Sequence, residues 1–172
     1  MSPEADFLAP LQTIMLRDSL AAEGEGLHVE QVEIIFAEKF DGDQITAAWT
    51  ATVASTEVLQ TAFVMECGEP VGWARTKATA NLKRNEPVPA SWEEWLAADR
   101  ARPLLAADTV PWRVAYWPRD RRFVWTFHHA LLDGRSMARI LHGFFRNLDD
   151  GTPPDRLGLT TWTPPDRRMA AR

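Results

Sequence analysis

The sequence predicts an α/β two-layer sandwich, in which a mixed, mostly antiparallel sheet is covered by helices. Apolar residues alternate with a period of two in several short segments and recur with a helical period in others. These segments follow one another in the order α-β-α-β-β-α-β-β-α. Turn residues separate neighbouring strand candidates at 67–70 and 118–121, which favours antiparallel hairpins over long crossovers.

The first half of the chain contains two helix candidates and three strand candidates. Pro10 suits the first turn of the first helix. Asp43 is predicted to cap the second helix, whose apolar stripe begins at Ile45. The predicted elements are a helix over 7–20, a strand over 29–40, a helix that begins after 43, and strands over 58–65 and 71–76.

The second half continues with a loop, a helix, a hairpin and a last helix. Residues 78–90 lack a clear period and are predicted to form a loop. Ser91 and Glu94 have the spacing of a capping box for a helix that Pro103 ends. Strands follow over 112–117 and 123–128, and then a helix whose apolar stripe comprises Met137, Ile140, Leu141, Phe144, Phe145 and Leu148.

The composition is that of a globular chain and argues against several classes of protein. Its 172 residues suit one domain or one large lobe, with 45% hydrophobic and 25% charged residues. A net charge of -5 argues against nucleic-acid binding. The sequence has no apolar leader and no apolar run of membrane-spanning length. We therefore expect a cytoplasmic protein without membrane contact.

Cysteine, histidine and tryptophan contents add three expectations. Cys67 is the single cysteine, so no intramolecular disulfide forms, and we expect a buried small hydrophobe rather than a nucleophile. One cysteine and four scattered histidines do not have the spacing of a zinc site, so no metal is expected. Eight tryptophans indicate a large buried area or an aromatic-lined groove.

The stretch from 123 to 136 changes from a buried strand to a helix through a short polar loop. Two adjacent histidines, His128 and His129, are followed by Asp133 and Gly134. Adjacent residues at a strand end point to opposite sides, so one imidazole should face inward and the other outward. A His-His pair alone is more often structural than catalytic. At the end of a buried strand, however, a rigid scaffold meets a loop that is open to ligands, and this combination favours a catalytic role.

Residues 128–134 resemble the H-H-x-x-x-D-G motif of condensation domains of nonribosomal peptide synthetases, whose superfamily includes chloramphenicol acetyltransferase. Residues 8–16, 57–63 and 101–114 are similar to three further blocks of that family, in the same order. In the second of these blocks, positions where the family has Arg, His and Arg are occupied by Ser55, Thr56 and Gln60. The resemblance covers 8–148 and implies one chloramphenicol acetyltransferase-like lobe.

This resemblance implies acyl transfer from a thioester to an amine or a hydroxyl, giving an amide or an ester. The donor would be held on the phosphopantetheine arm of a carrier protein or on CoA, as a substrate rather than a permanent cofactor. The resemblance gives His129 the catalytic role, either as general base or as a group that holds the acceptor and stabilises its cationic intermediate. Both roles remain open, and His128 is implied to be structural.

The remaining motif residues are implied to shape the loop. Asp133 is expected to pair with an arginine, for which Arg113 is the first candidate and Arg135 the alternative. Gly134 allows an easy turn and a close approach of substrate. The start of the following helix, with Arg135 and Ser136, favours an anion, either a developing oxyanion or a phosphate of the cofactor arm.

We predict that 1–150 form an N-terminal, histidine-bearing lobe and that 151–172 form an extended tail or the start of a connection to a second lobe. The resemblance implies a two-lobed domain, but the second-lobe motif is absent from the sequence. Three explanations remain open. The chain self-associates so that a copy supplies the opposite wall, it is part of a longer synthetase, or it is a lobe that docks a carrier protein without turnover. Expected partners are an acyl or peptidyl carrier protein and either a second lobe in trans or a second copy. An exposed sheet edge and a tryptophan-rich surface are expected to favour association.

Overall fold

The computed structural model describes residues 6–22, 24–76, 78, 82–84, 88–106, 109–148 and 156–160. The predicted order of helices and strands is confirmed, with two short strands and one 3₁₀ turn, Glu57–Gln60, added. The elements are α1 Pro10–Ala21, β1 Val29–Ile35, α2 Gly42–Ser55, β2 Thr61–Glu66, β3 Glu69–Arg75, β4 Leu82–Arg84, α3 Trp92–Ala101, β5 Trp112–Trp117, β6 Arg122–His128, α4 Gly134–Asn147 and β7 Arg156–Thr160.

The main sheet has five strands in the order β4-β5-β6-β1-β7. Only the β4–β5 pair among these is parallel, so the sheet is mixed and mostly antiparallel, as predicted. The register sets Val29 opposite His128 and Trp112 opposite Phe127. Strands β2 and β3 form a separate hairpin. The central strand β6 therefore delivers its last residue, His128, to one end of the sheet.

Two strands lie where no strand was predicted. The edge strand β4 falls within the segment predicted to be a loop, and its three residues are too few to show a period of two. Strand β7 falls within 151–172 and pairs with β1 over Gln31–Ile35. The division of the chain at residue 150 stays a prediction.

Two local predictions are wrong. The second helix is capped by Asp41 rather than Asp43, because the Asp41 carboxylate accepts hydrogen bonds from the backbone N–H groups of Asp43 and Gln44 at 2.5 and 3.1 Å. Cys67 is exposed rather than buried. With φ of +50° it forms the tip of the β2–β3 hairpin together with Gly68, at +84°, and such two-residue turns project into solvent.

Aromatic packing fills both faces of the main sheet. On one face, Trp49 of α2 makes edge contacts with Trp112, Trp125 and Phe144, at centroid distances of 5.2 to 5.7 Å. The predicted apolar stripe of α4 packs on this same face, so it is confirmed. On the opposite face, α3 sets its tryptophans against Trp117, at 4.6 and 4.9 Å. Thus the strand that carries the motif is buried from both sides.

The expectation of a tryptophan-rich surface is wrong for the described residues. Trp49, Trp112, Trp117 and Trp125 are buried, and the other described tryptophans are partly buried. They lie on core-facing positions of helices and strands, so the large number of tryptophans does not give an exposed aromatic surface in this part of the chain. The large apolar side chains that are exposed in the described part are Phe7, Leu11, Ile14, Val71 and Val88. In that part, no helix has the length and hydropathy needed to cross a bilayer.

Candidate functional site

The backbone at the end of β6 is held from two sides. The N–H of His128 donates to the Pro111 carbonyl at 3.0 Å, and the N–H of His129 donates to the His28 carbonyl at 2.7 Å. His28 reaches this position with a φ of +58°, which is uncommon outside glycine. After the histidines, the N–H of Leu131 donates back to the His128 carbonyl at 2.9 Å. The loop between strand and helix is thereby fixed at its first residues.

His128 is buried in one defined neutral tautomer. Its Nδ1 accepts a hydrogen bond from the Ala130 N–H at 3.1 Å, so Nε2 must carry the ring proton. Nε2–H then donates to Ser19 Oγ at 2.8 Å, and the Ser19 hydroxyl donates to the Leu27 carbonyl at 2.8 Å. Both ring nitrogens of His128 are therefore occupied by protein partners.

Burial also removes His128 from proton transfer near neutral pH. Loss of solvation, with smaller contributions from the charges of His28 and His129, lowers the pKa of this imidazole from 6.5 to about 3. A base of that pKa, with its Nδ1 lone pair already used, cannot take a proton from an acceptor at neutral pH. This supports the structural role implied for His128.

His129, the next residue, is partly exposed, whereas His128 is buried. This difference in burial agrees with the prediction that one imidazole faces inward and the other outward, whose geometry stays a prediction. No hydrogen-bond partner of His129 Nδ1 is found in the described part of the chain, although this atom is shielded from solvent. Its backbone is fixed through the His28 carbonyl, whereas its ring Nδ1 is left without a hydrogen bond among the described residues. This ring can accept a proton or a hydrogen bond from a substrate.

Asp133 caps α4 and does not pair with Arg113. Its Oδ1 accepts a hydrogen bond from the Ser136 N–H at 2.7 Å. This bond lowers the pKa of the Asp133 carboxyl, and the charges of Arg135 and His129 act in the same direction. The prediction of an Arg113–Asp133 ion pair is wrong, because Asp133 lies beyond the end of β6.

Arg113 instead binds the buried carboxylate of Asp99. The strand register places Arg113 opposite Thr126, on the sheet face that α3 covers. Arg113 Nε donates to Asp99 Oδ1 at 2.9 Å, and Thr126 Oγ1 and Gln31 Nε2 donate to Oδ2 at 2.6 and 3.1 Å. Burial raises the pKa of Asp99, but Arg113 and Thr126 outweigh it and hold that pKa below its ordinary value. This network joins α3 to the strands β1, β5 and β6, the last of which carries His128 at its end.

The start of α4 differs from the predicted anion site. Gly134 is the first residue of α4, and a side chain at this position would meet no atom within 4 Å. No close contact in the described part of the chain therefore requires glycine here. The Ser136 amide is already bonded to Asp133, whose negative charge opposes a second anion there. Arg135 is exposed, and its contact with a phosphate stays a prediction. Among the described residues, no group of three or more His, Cys, Asp or Glu side chains could hold a metal ion.

Comparison with known proteins agrees with this arrangement. A family model described as "Condensation domain" matches residues 6–158. The chain belongs to the condensation-domain family. It is 32% identical over 149 residues to a linear gramicidin synthase of Brevibacillus parabrevis. It is 29% identical over 149 residues to nonribosomal peptide synthetase 30 of Fusarium vanettenii. These matches confirm the resemblance drawn from the motif and place the chain in a family of acyltransferase type.

Solved condensation domains have the same fold. The starter condensation domain of rhizomide synthetase superposes with a TM-score of 0.70 at 14% identity, and 88% of this chain covers 40% of that one. The first condensation domain of the calcium-dependent antibiotic synthetase gives 0.64 at 19% identity, with the same shares. The chain spans 2% of the length of each of the two synthetases named above. It therefore matches part of a condensation domain.

Sequence reasoning missed three residues that shape this condensation-type site. Ser19 and His28 contact the motif histidines from α1 and the loop after it, across a sequence separation of about a hundred residues. No local pattern marks either of them. Gln12 belongs to the block at 8–16 that resembles the family, and its Nε2 donates to the Ala130 carbonyl at 2.9 Å. For Gln12 the resemblance was a usable signal, although it did not indicate the contact.

Replacing Ser19 with alanine should destabilise the fold. The Nε2–H of His128 would lose its acceptor inside the protein, which costs about 1 to 3 kcal/mol in the free energy of unfolding. Urea denaturation of Ser19→Ala and wild type measures the difference. Thr13→Ala, on the same helix and likewise half-buried, removes a hydroxyl that reaches only the Ala9 carbonyl at 3.4 Å, and as the matched control it should change the free energy by less than about 0.5 kcal/mol. Equal stabilities of Ser19→Ala and Thr13→Ala would contradict the hydrogen-bonded tautomer assigned to His128.

Proposed function

We propose that this chain is the N-terminal, histidine-bearing lobe of a condensation domain and acts in nonribosomal peptide-like biosynthesis. It forms an amide or an ester from a thioester donor on a carrier protein or on CoA, with His129 assisting the attack of the acceptor. The observation that carries the proposal is the division of roles between the two motif histidines. His128 is buried, neutral and bonded at both nitrogens, whereas His129 is partly exposed with Nδ1 unbonded in the described part.

The chemistry needs one group that can accept or orient a proton. The acceptor nitrogen or oxygen attacks the thioester carbonyl carbon, the C–S bond breaks, and the thiol leaves. The acceptor proton passes to His129 and then to the departing sulfur, or His129 holds the acceptor while the proton moves directly. In either course the imidazole must be positioned before the acceptor binds. The hydrogen bond from the His129 N–H to the His28 carbonyl supports such positioning.

A carrier protein and a second lobe are the proposed partners. The chain covers about 40% of the solved condensation domains it matches, which leaves the larger part of such a domain to another polypeptide or another segment. A second lobe in trans, or a second copy of this chain, would complete the substrate channel beside His129. The phosphopantetheine arm of the carrier protein, or CoA, would deliver the donor, and Arg135 is the proposed contact for its phosphate.

A second candidate is a docking lobe without turnover. A single lobe by itself would leave the channel beside His129 open to water, so it could bind a carrier protein without transferring the acyl group. The two candidates differ in what they require of His129. Catalysis needs its imidazole, whereas docking depends on surfaces away from the ring.

The test is an assay with an acyl-loaded carrier protein and an amine acceptor, with the product measured by mass spectrometry. We expect wild type to form product and His129→Ala to reduce it by about a hundredfold or more. His142→Ala removes an exposed histidine from α4 and is the matched control, which should retain product. Circular dichroism and the melting temperature of each variant establish that the fold is intact.

Carrier-protein binding is measured on the same three proteins. Binding that is unchanged in His129→Ala, with product lost, supports catalysis by His129. Binding without product from any of the three proteins would assign the chain to docking. Product formed at wild-type rates by His129→Ala would overturn the role proposed for this residue.

A further inference from the structure

The antiparallel strands β1 and β6 are closed at both ends by the same kind of backbone contact. His28 precedes β1, and its carbonyl accepts the N–H of His129, which follows β6, at 2.7 Å. At the other end Arg121 precedes β6, and its carbonyl accepts the N–H of Phe36, which follows β1, at 2.8 Å. Both accepting residues have left-handed backbones, with φ of +58° and +53°. One closure therefore holds the motif histidine, and the other lies at the far end of the same strand pair.

A left-handed backbone at position 28 restricts which residues can make this closure. In that region Cβ crowds the backbone, so β-branched residues are rare there, whereas glycine, asparagine and histidine are tolerated. A change of φ at His28 swings the peptide unit that follows it, and this movement would turn the carbonyl away from the His129 amide. The residue type at position 28 thus decides whether the hydrogen bond to His129 forms.

The loop that carries His28 is held by packing on both sides. The Ser19 hydroxyl of α1 donates to the Leu27 carbonyl at 2.8 Å. Gly26, with φ of +67°, comes so close to α3 that a Cβ there would lie 3.0 Å from the backbone oxygen of Arg100. The place of the His28 carbonyl relative to the end of β6 is therefore set by tertiary contacts from α1 and α3.

The imidazole of His28 takes no part in the hydrogen bond to His129. Its Nε2 lies 3.5 Å from a carboxylate oxygen of Asp18 and makes no hydrogen bond with the described residues, although it is shielded from solvent. The ring centroid lies 6.3 Å from that of His128. Replacement of this side chain should therefore be tolerated, provided that the new residue keeps the left-handed backbone.

We propose that His28 is a positioning residue for His129, which it holds in place for the acceptor through its left-handed backbone. The acceptor enters from the proposed function, on which this part of the inference rests, whereas the anchoring hydrogen bond requires no turnover. Because Nδ1 of the His129 ring has no hydrogen bond among the described residues, the backbone anchor is the contact that locates the imidazole. A misplacement of about 1 Å at a reacting group can cost about a hundredfold in rate.

The first measurement is hydrogen exchange of the His129 amide, followed by nuclear magnetic resonance without any substrate. His28→Val should speed this exchange by about tenfold or more, because valine disfavours the left-handed region and the hydrogen bond is lost. His28→Gly and His28→Asn keep that region accessible and should stay within about threefold of wild type. Arg121→Val is the matched control, since it disturbs the closure at the far end and should leave the His129 amide protected.

The second measurement is turnover in the carrier-protein assay, with the acceptor concentration varied. His28→Val should lower kcat by about tenfold or more and change KM for the acceptor by less than about twofold, because the imidazole is displaced while other acceptor contacts remain. His28→Gly and His28→Asn should restore kcat to within about threefold of wild type. Arg121→Val should lower the melting temperature as His28→Val does, yet keep the kcat of wild type.

A less severe variant covers the case in which His28→Val does not fold. His28→Ala lacks the branched Cβ but still disfavours the left-handed region, so it should differ from His28→Gly in the same direction by about threefold in both measurements.

Three results would overturn the proposal. They are equal exchange of the His129 amide in His28→Gly and in the valine or alanine variant, a kcat of His28→Asn as low as that of His28→Val, and a kcat of Arg121→Val equally low. The second would assign the effect to the imidazole and the third to a general loss of stability. The expected exchange pattern without product from wild type would leave His28 assigned as the anchor of His129 and reject only the proposed catalysis.

Discussion

Replacing Asp99 with alanine should be among the most destabilising single changes in this chain. The Asp99 side chain is 4% exposed, and its two oxygens accept hydrogen bonds from Arg113, Arg102, Thr126 and Gln31. Removing the carboxylate leaves the partly buried guanidinium of Arg113 without its anion, whose loss typically costs about 3 to 5 kcal/mol. That cost is a large fraction of the total stability of an ordinary domain. Urea denaturation of Asp99→Ala against wild type measures it.

Two further variants establish that the cost comes from an unpaired charge. Glu93→Ala removes an exposed carboxylate from the first turn of the same helix and should cost less than about 1 kcal/mol. Adding Arg113→Met to Asp99→Ala removes the unpaired cation, so the double variant should be more stable than Asp99→Ala alone. A loss in Asp99→Ala as small as that in Glu93→Ala would contradict a buried ion pair at this position.

The same network explains why the sequence misassigned Arg113. The alternation of apolar residues predicted strands β5 and β6 closely, and their pairing followed from the short turn between them. The partner of Arg113 depends instead on which helix covers that face of the sheet. Asp99 occupies the buried stripe of α3, seven residues after Trp92 and four after Trp95, where a helical period predicts an apolar side chain. A buried acid on such a stripe is a signal that a cation lies opposite, and it was available in the sequence.

The position of the site could be predicted, whereas its surroundings could not. Strand, loop and helix around His129 follow from local pattern, and the motif spacing indicated the family. Ser19 and His28 are brought to the motif because α1 packs through Leu16 against the β2–β3 hairpin and the motif loop, a tertiary contact that no local pattern encodes. The prediction for Cys67 failed for a related reason. Cysteine is usually buried, but this residue lies at the tip of a hairpin and is therefore exposed.

The stability of the fold should decrease as the pH falls below about 6.5, because His128 is buried in its neutral form. The pKa of His128 is lowered from 6.5 in an unfolded chain to about 3 in the fold. Between these values the unfolded chain binds a proton that the folded chain does not bind, so stability rises with pH in this window. The contribution is complete above about pH 6.5 and is lost progressively toward about pH 3. Each pH unit in the window corresponds to about 1.4 kcal/mol.

The matched control is His128→Gln, which retains an amide N–H that can donate to Ser19 Oγ but does not titrate. Urea denaturation of both proteins at several pH values gives the difference in the free energy of unfolding. This difference should shrink by about 2 kcal/mol between about pH 7 and about pH 5, because only wild type loses the His128 contribution. Other histidines and carboxylates titrate in both proteins, so the comparison cancels them to first order.

The outcome bears on catalysis as well as on stability. A parallel pH dependence in wild type and His128→Gln would mean that His128 is solvated enough to be protonated near its ordinary pKa. The proposed division of roles between the two motif histidines would then fail. A pH-dependent difference of the expected sign would show that His128 stays neutral in the fold, which leaves His129 as the motif histidine proposed to contact the acceptor. The buried neighbour then acts through the hydrogen bonds that fix the loop.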